Sequence, residues 1–441
     1  VAGNAITITV ADDSAAGIAN DTVNDIAALT VANIPTVTIN AVDADTLTDI
    51  QIGATAVGAS GTLKVTGSTD IDFSGTLTGV ALDASATTGD ITVAVLNGTT
   101  TYTTGVGADT FTTTSAHALD ITAGEGTDTL SLSNHNFEAQ TVSLSGIDVI
   151  NSGGTTTELA GTVVNGGSFV FGGTTSILLT AQGGTGEVVD ISNTASSIVV
   201  TLSGAAGGDT LTGSSTSATV ILGLGGDDTI VGGAAADTIT GGTGTDGIDI
   251  TDTVNVTDTI IIDGGLTVDT ITGFDLGATN GDQIDLGIGA LETAGAVIAD
   301  ANAHNIQLLS ADTDIAAGGV GDGPVVIQEI ADQAGGVAVA AAAASLFVLL
   351  DETYASTGAV ETGLETGDHE LTIHTNVAQY DAFMIAYSDG TDTHIANVTF
   401  VANPGTDIAA ADTTVSDLAI IKGTGVLTAS ELNVANFDWI A

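Results

Sequence analysis

Short runs in which apolar and polar residues alternate recur along this chain. Ala5–Val10 (AITITV), Thr36–Ile39 (TVTI), Thr62–Val65 (TLKV) and Ile91–Leu96 (ITVAVL) set aliphatic residues against Thr, Lys or Ala at period two. That period turns one row of side chains inward and the other to solvent, so each run predicts a β-strand. The intervening turns carry Gly, Asp and Ser. Helical periodicity is confined in this region to Asp21–Ala32. Ile147–Ile150 and Gly- and Thr-rich short strands through Leu179 continue the β pattern. Further on, Ile288–Leu309 and Val337–Leu350 are Ala-rich and read as helical, although Leu346–Leu350 reads equally as a buried strand. Ala382–Ser388, the turn Asp389–Asp392 and His394–Phe400 predict a β-hairpin.

Between Gly204 and Ile284 the pattern changes to a glycine-rich turn, an Asp, one residue and a single aliphatic. Asp209 precedes Leu211, Asp228 precedes Ile230, Asp237 precedes Ile239 and Asp246 precedes Ile248, at Asp-to-Asp steps of 19, 9 and 9 residues. The longer step spans a turn without its Asp, near Gly213–Leu222. The unit is the nonapeptide G-G-x-G-x-D-x-U-x, whose physical reading is a parallel β-roll that binds Ca²⁺. Gly241–Asp249 fits at every position; Gly232–Thr240 departs at Ala235, Gly223–Val231 at Leu224 and Gly204–Thr212 at Ala205. Glycines such as Gly207, Gly226, Gly233, Gly242 and Gly244 let a turn take positive φ and aim its carbonyls inward. The Asp adds a hard carboxylate oxygen, and Ca²⁺ takes six to eight oxygen ligands. The expected ligands are Asp209, Asp228, Asp237 and Asp246, with Asp227, Asp258, Asp263, Asp269 and Asp282 completing further shells. Phe274, in the closing segment Thr272–Leu286, is expected to plug the end of the roll.

A less regular cluster lies at Gly105–Leu130. TGVGADTF and AGEGTDTL place Asp109 and Asp128 in the ligand position. An internal likeness links Leu82–Val95 to Val189–Leu202, pairing Asp83 with Asp190 and Ser85 with Ser192, and each copy runs into a Gly-x-Asp-Thr turn. A duplicated module accounts for this, and chance likeness between Thr-rich strands is the other reading.

Charge sharpens the picture. Fifty-four acidic residues face two lysines, for a net charge of −52, which excludes attraction to nucleic acid or anionic lipid. So many carboxylates repel one another in a compact chain unless a cation is bound, and Lys64 and Lys422 are too few. A 43% hydrophobic fraction still supports a core, against a disordered reading. With no Cys, metal is the candidate staple. No apolar run reaches the ~18–20 residues of a membrane helix, so membrane insertion is not expected. No N-terminal secretory signal is legible.

The array Gly204–Asp249 resembles the RTX (repeats-in-toxin) family, and the segment through Leu286 and beyond is similar to the ends of RTX proteins exported by type I secretion. The resemblance implies an uncleaved C-terminal export signal and a roll that forms when Ca²⁺ is met outside the cell. The Thr/Ala/Gly-rich N-terminal half looks like the surface-layer branch of that family, implying an extracellular location on the surface of a Gram-negative bacterium.

Catalytic constellations are missing from the sequence. The six histidines form no H-E-x-x-H, His369-Glu370 lacks the second His, no G-x-S-x-G occurs, and neither lysine sits in a phosphate loop. The expectation is an all-β, non-enzymatic protein in four segments: a β-rich 1–100, a degenerate module 101–200, a Ca²⁺-binding roll 201–287 and a β-rich 288–441 with the export signal. It assembles with copies of itself into a layer or filament, with calcium ions as glue and cell-surface polysaccharide as a further partner. An adhesin or surface-binding module, and the non-catalytic tail of a larger secreted enzyme, are the alternatives.

Overall fold

The structure is a computed structural model. It describes residues 5–10, 26–31, 35–41, 50–57, 61–73, 75, 77, 80–95, 101–113, 115–133, 135–154, 157–183, 186–253, 256–262, 267–276, 281–287, 327–330, 346–349, 353–366, 382–401, 412–426 and 436–440. Asp263, Ile288–Leu309, His304, His369 and His374 lie outside them, as does most of Val337–Leu350; its Leu346–Leu349 is a strand.

The chain folds as a parallel β-solenoid. Two compact units divide it, one of Val1–Gln182 with Asn193–Thr201, the other of Gly183–Ser192 with Leu202–Ala441. In the first, successive strands alternate between two sheets. One sheet runs Ala5–Val10, Thr36–Ala41, Gly61–Gly67, Val80–Thr87, Thr101–Thr103, Leu119–Thr122, Val142–Ser145. The other runs from Ile26–Val31 through Ile50–Val57, Ile71–Phe73, Ile91–Val95, Thr110–Thr113, Thr129–Leu132, Val149–Ser152 and Val170–Gly173 to Ala195–Ser196. A chain that always returns to the same sheet one coil later can only pair in parallel. The core is then a stack of equivalent positions: Val93, Phe111, Leu130, Ile150 and Phe171 are register partners, and all are fully buried.

The second unit uses the same plan with tighter coils. Val188–Asp190, Thr210–Thr212, Thr229–Val231, Gly247–Asp249 and Asp269–Thr272 form one wall. Val200–Ser203, Thr219–Leu222, Thr238–Thr240, Thr259–Ile262 and Gln283–Gly287 form the other. The nine-residue repeat is therefore half a coil. The inward aliphatic of each half-coil stacks on its counterpart one whole coil away: Leu211, Ile230, Ile248 and Ile271 on one wall, Ile221, Ile239, Ile260 and Ile284 on the other. None is more than 2% exposed, and each buried aliphatic contributes about 1.5–3 kcal/mol.

The end of this roll is covered by strands rather than by an aromatic plug. Phe274 is buried, but Thr413–Ile421 pairs in parallel with Asp269–Thr272, and Phe437–Ile440 pairs with Gln283–Gly287. Asn436 donates from Nδ2 to the Asp282 carbonyl at 2.8 Å. An exposed sheet edge is a template for further pairing, and a strand satisfies its hydrogen bonds where one phenyl ring cannot. The expected hairpin is present, antiparallel between Ala382–Ser388 and Thr393–Phe400, with Ser388 opposite Thr393. Thr393–Phe400 in turn pairs antiparallel with Thr413–Ile421. One helix, Thr357–Thr366, buries Val360 and Leu364, one turn apart, and its Glu361 accepts the Val415 amide at 2.8 Å.

Candidate metal centre

The half-coil repeat decides where the acidic side chains go. Nine residues carry the chain from one wall to the other, so consecutive Asp residues alternate walls. Two separate columns result. On one wall Asp209 Oδ1 accepts the Glu187 amide at 2.7 Å, Asp228 Oδ1 the Asp209 amide at 2.6 Å, Asp246 Oδ1 the Asp228 amide at 2.8 Å and Asp269 Oδ1 the Asp246 amide at 3.0 Å. On the other, Asp237 Oδ1 accepts the Thr219 amide at 2.6 Å, Asp258 Oδ1 the Asp237 amide at 2.7 Å and Asp282 Oδ1 the Asp258 amide at 2.9 Å. Each carboxylate thus spends one oxygen tying its coil to the coil before.

Thr219 fills the place of the missing Asp. Its hydroxyl accepts the Ser214 amide at 3.2 Å, as Asp209 Oδ2 accepts the Ala205 amide at 2.7 Å. A hydroxyl keeps the hydrogen bond and omits the charge.

The second oxygen is the anomaly. Asp228, Asp237 and Asp246 are at most 2% exposed, and their Oδ2 atoms are buried without a hydrogen-bond partner. Buried polar atoms are almost always paired, and an unpaired buried charge is costlier still. Burial first, then the carboxylates of neighbouring coils, push Asp228 and Asp258 up to about 7 and Asp237 up to about 8. Asp246 and Asp282 are raised by burial in the same direction. Neither lysine relieves this charge: Lys64 pairs with Asp83 at 3.6 Å and Lys422 with Asp392 at 2.7 Å.

The glycines make the space. A Cβ on Gly232 would stand 3.0 Å from Asp237 Oδ2, and one on Gly204 would stand 3.1 Å from Asp209 Oδ2. A Cβ on Gly223 would collide with both Asp228 Oδ2 and the Gly241 carbonyl oxygen of the next coil. The first glycine of each repeat therefore vacates a volume bordered by its own carboxylate. Gly226, Gly233, Gly242 and Gly244 have φ of 106°, 131°, 98° and 130°, whereas Gly207 is not in the left-handed region. Leu224 occupies a left-handed position at φ 72°, where the repeat calls for glycine.

Orphaned carboxylate oxygens, adjacent carbonyls and no soft donor suit a hard cation such as Ca²⁺. Side chains alone do not complete a shell: no group of three or more His, Asp or Glu residues is spaced to hold a metal among the described residues. Main-chain carbonyls would have to supply the balance.

Among the other expected ligands, Asp227 is exposed and outside both columns, its Oδ1 accepting the Thr245 amide at 2.9 Å. Asp109 and Asp128 belong to the first unit and to a column of their own. Two acidic residues escaped the sequence reading. Asp275 donates its amide to Asp282 Oδ2 at 2.7 Å, and Asp252 has a buried, unpartnered Oδ1; both border a cavity of about 300 Å³ beside Asp282. They lie in two separate longer connections, Asp252 between Gly247–Asp249 and Thr259–Ile262 and Asp275 between Asp269–Thr272 and Gln283–Gly287, where no repeat could point to them. The likeness of Leu82–Val95 to Val189–Leu202 has a local counterpart, since Asp83 Oδ1 accepts the Ser85 amide and Asp190 Oδ1 the Ser192 amide.

Comparison with known proteins finds no matching family model, no matching curated protein and no matching solved structure.

Proposed function

We propose that this chain is a secreted structural protein whose roll folds around Ca²⁺ and which assembles with copies of itself into an extracellular layer or filament. The observation that carries the calcium reading is the pair of carboxylate columns with orphaned Oδ2 atoms at Asp228, Asp237 and Asp246. The residues that would hold the ion are Asp209, Asp228, Asp237, Asp246, Asp258, Asp269 and Asp282, with turn carbonyls such as that of Gly241. Bound cations would compensate buried charge that no lysine reaches, and folding would then follow calcium. Low free Ca²⁺ inside a cell would keep the chain unfolded for export, and the higher concentration outside would set the roll.

Assembly is supported by composition. At −52 net charge, copies repel unless divalent ions bridge their surface carboxylates. A Gram-negative cell surface is the proposed location, with surface polysaccharide as the anchor. The test is EGTA against CaCl₂, followed by far-UV circular dichroism and negative-stain microscopy. Loss of β signal and dissolution of sheets or fibres in EGTA is the expected result. An unchanged spectrum in chelator would sink the calcium reading, and monodisperse particles in Ca²⁺ would sink assembly.

One observation favours a surface-binding module instead. On the first unit's outer wall Thr36, Thr62, Thr38 and Lys64 fall in register, with Thr101 and Thr103 further along the same sheet. The Lys64–Asp83 ion pair interrupts this Thr-rich face, so assembly remains the preferred reading.

A further inference from the structure

One wall of the first unit has an outer face without charge. On Ile91–Val95, Thr110–Thr113, Thr129–Leu132, Val149–Ser152 and Val170–Gly173 the inward row is Val93, Phe111, Leu130, Ile150 and Phe171, so the residues on either side of each point outward. Register sorts them into two files. The first is Thr92, Thr110, Thr129, Val149 and Val170, and the second is Ala94, Thr112, Ser131, Asn151 and Gly172. Five coils spaced by about 4.8 Å make each file about 20 Å long. None of these residues is charged, in a chain with 54 acidic residues. The opposite wall carries Lys64, Asp83 and Asp120 among its outward positions.

The two files differ in bulk. Every member of the first is β-branched, so it forms a stiff ridge of methyl groups. The second falls away beside it, with Ala94 next to Thr92, Ser131 next to Thr129 and Gly172 next to Val170, which is 47% exposed. The Asn151 carboxamide floors one end of this furrow, where a Cβ on Gly172 would stand 2.6 Å from Oδ1.

A ridge beside a furrow is self-complementary. A two-fold axis parallel to the solenoid axis reverses strand direction and lays each ridge over the partner's furrow, at the ~10 Å spacing of packed sheets. The same operation keeps carboxylates apart. Asp90 and Glu125 are exposed in the turns that lead into these strands, on the ridge side of the face. The two-fold sends the partner's equivalents to the opposite side. Copies of −52 charge can therefore bury this face without desolvating a carboxylate. Ten residues a side is short of the roughly 20–30 of a standard interface, so the contact holds where it is repeated many times, as in a layer or filament.

We propose that this uncharged ridge and furrow is a contact surface between copies of the chain, paired about a two-fold axis. The inference rests on the assembly reading and names a surface for it.

The test uses the full chain in CaCl₂. Val170→Glu and Thr112→Glu each place a carboxylate at an exposed position, one on each file. Both variants should keep the wild-type circular dichroism and its response to EGTA. Both should raise the concentration at which arrays form by at least about tenfold, because like charges then meet across the contact. Arrays at the wild-type concentration from both variants overturn the proposal and leave assembly standing. A wild type that stays monodisperse at every concentration overturns assembly itself, and this contact with it. Should the glutamates disturb folding, cross-linking decides, since the chain has no cysteine of its own. Val170→Cys should form dimers with a bismaleimide of about 10 Å span, and Thr122→Cys on the opposite wall should not. Equal yields overturn the proposal. Loss of pelleting on insoluble cellulose by Val170→Glu, with arrays intact, would give the face to a glycan and likewise overturn it.

Discussion

Asp237→Asn should change the stability of this protein in opposite directions with and without calcium. Asp237 is 2% exposed, its Oδ1 holds the Thr219 amide, and its Oδ2 has no partner. Asp258 and Asp252 add repulsion of the same sign. An uncompensated buried charge costs about 3–5 kcal/mol. Asn removes it and keeps the Oδ1 acceptor, but its amide group then lacks acceptors, at a cost of about 1–3 kcal/mol. In chelator the variant should therefore be more stable than the wild type by roughly 1–3 kcal/mol. In calcium the wild-type charge is compensated and the ion adds its own binding energy, about 4 kcal/mol at a thousandfold over Kd. The variant forgoes that gain and becomes the less stable of the two. Urea midpoints read by far-UV circular dichroism, in EGTA and in CaCl₂, measure both differences. A midpoint that falls equally in the two buffers would refute the reasoning and leave Asp237 as a hydrogen-bond acceptor alone.

Other expectations rest on different parts of the structure. Gly223→Ala should cost about 1–3 kcal/mol and blunt the calcium response, because its methyl collides with Asp228 Oδ2 and the Gly241 carbonyl; the same urea series in both buffers checks this. Leu224→Gly should gain up to about 1 kcal/mol by relieving a left-handed residue, less the entropy cost of glycine, and a lower urea midpoint would contradict it. Capping of the roll should weaken with rising pH. Burial pushes His394 down, but Asp417 at 3.0 Å and Asp389 at 3.5 Å push it up by more, so its folded value lies above the ordinary 6.5. A raised histidine stabilises fully below its unfolded value, and that contribution is lost as pH rises through the folded one. Thermal melts from about pH 5.5 to 8.5 should show it, and His394→Gln should flatten that slope; an unchanged slope would remove His394 from the account.

The columns divide what was legible from what was not. The Asp-x-aliphatic phrase shows a roll because a two-residue offset puts the carboxylate at the turn and the aliphatic inside, whatever lies next to it. Asp209, Asp228, Asp237 and Asp246 could be read for that reason. The assignment of Asp228 and Asp246 to one wall and Asp237 to the other could not. It depends on half a coil being nine residues, a property of the closed winding. Asp70 and Asp90 lack the Asp-x-aliphatic phrase, and the hydrogen bonds made by Asp70, Asp90, Asp109, Asp128 and Asp148 run to amides 18 to 20 residues away.

Chain order also hides the cap. Thr413–Ile421 and Phe437–Ile440 alternate like any strand, and only the folded chain shows that they pair with strands ending at Thr272 and Gly287. Sequence by itself determined the local chemistry, since periodicity and residue type are decided within a few residues. Tertiary structure decided which carboxylates share a column, which oxygens remain unpaired and what closes the roll. Those depend on hydrogen bonds between coils, where the partner is set by winding and not by neighbourhood in the chain.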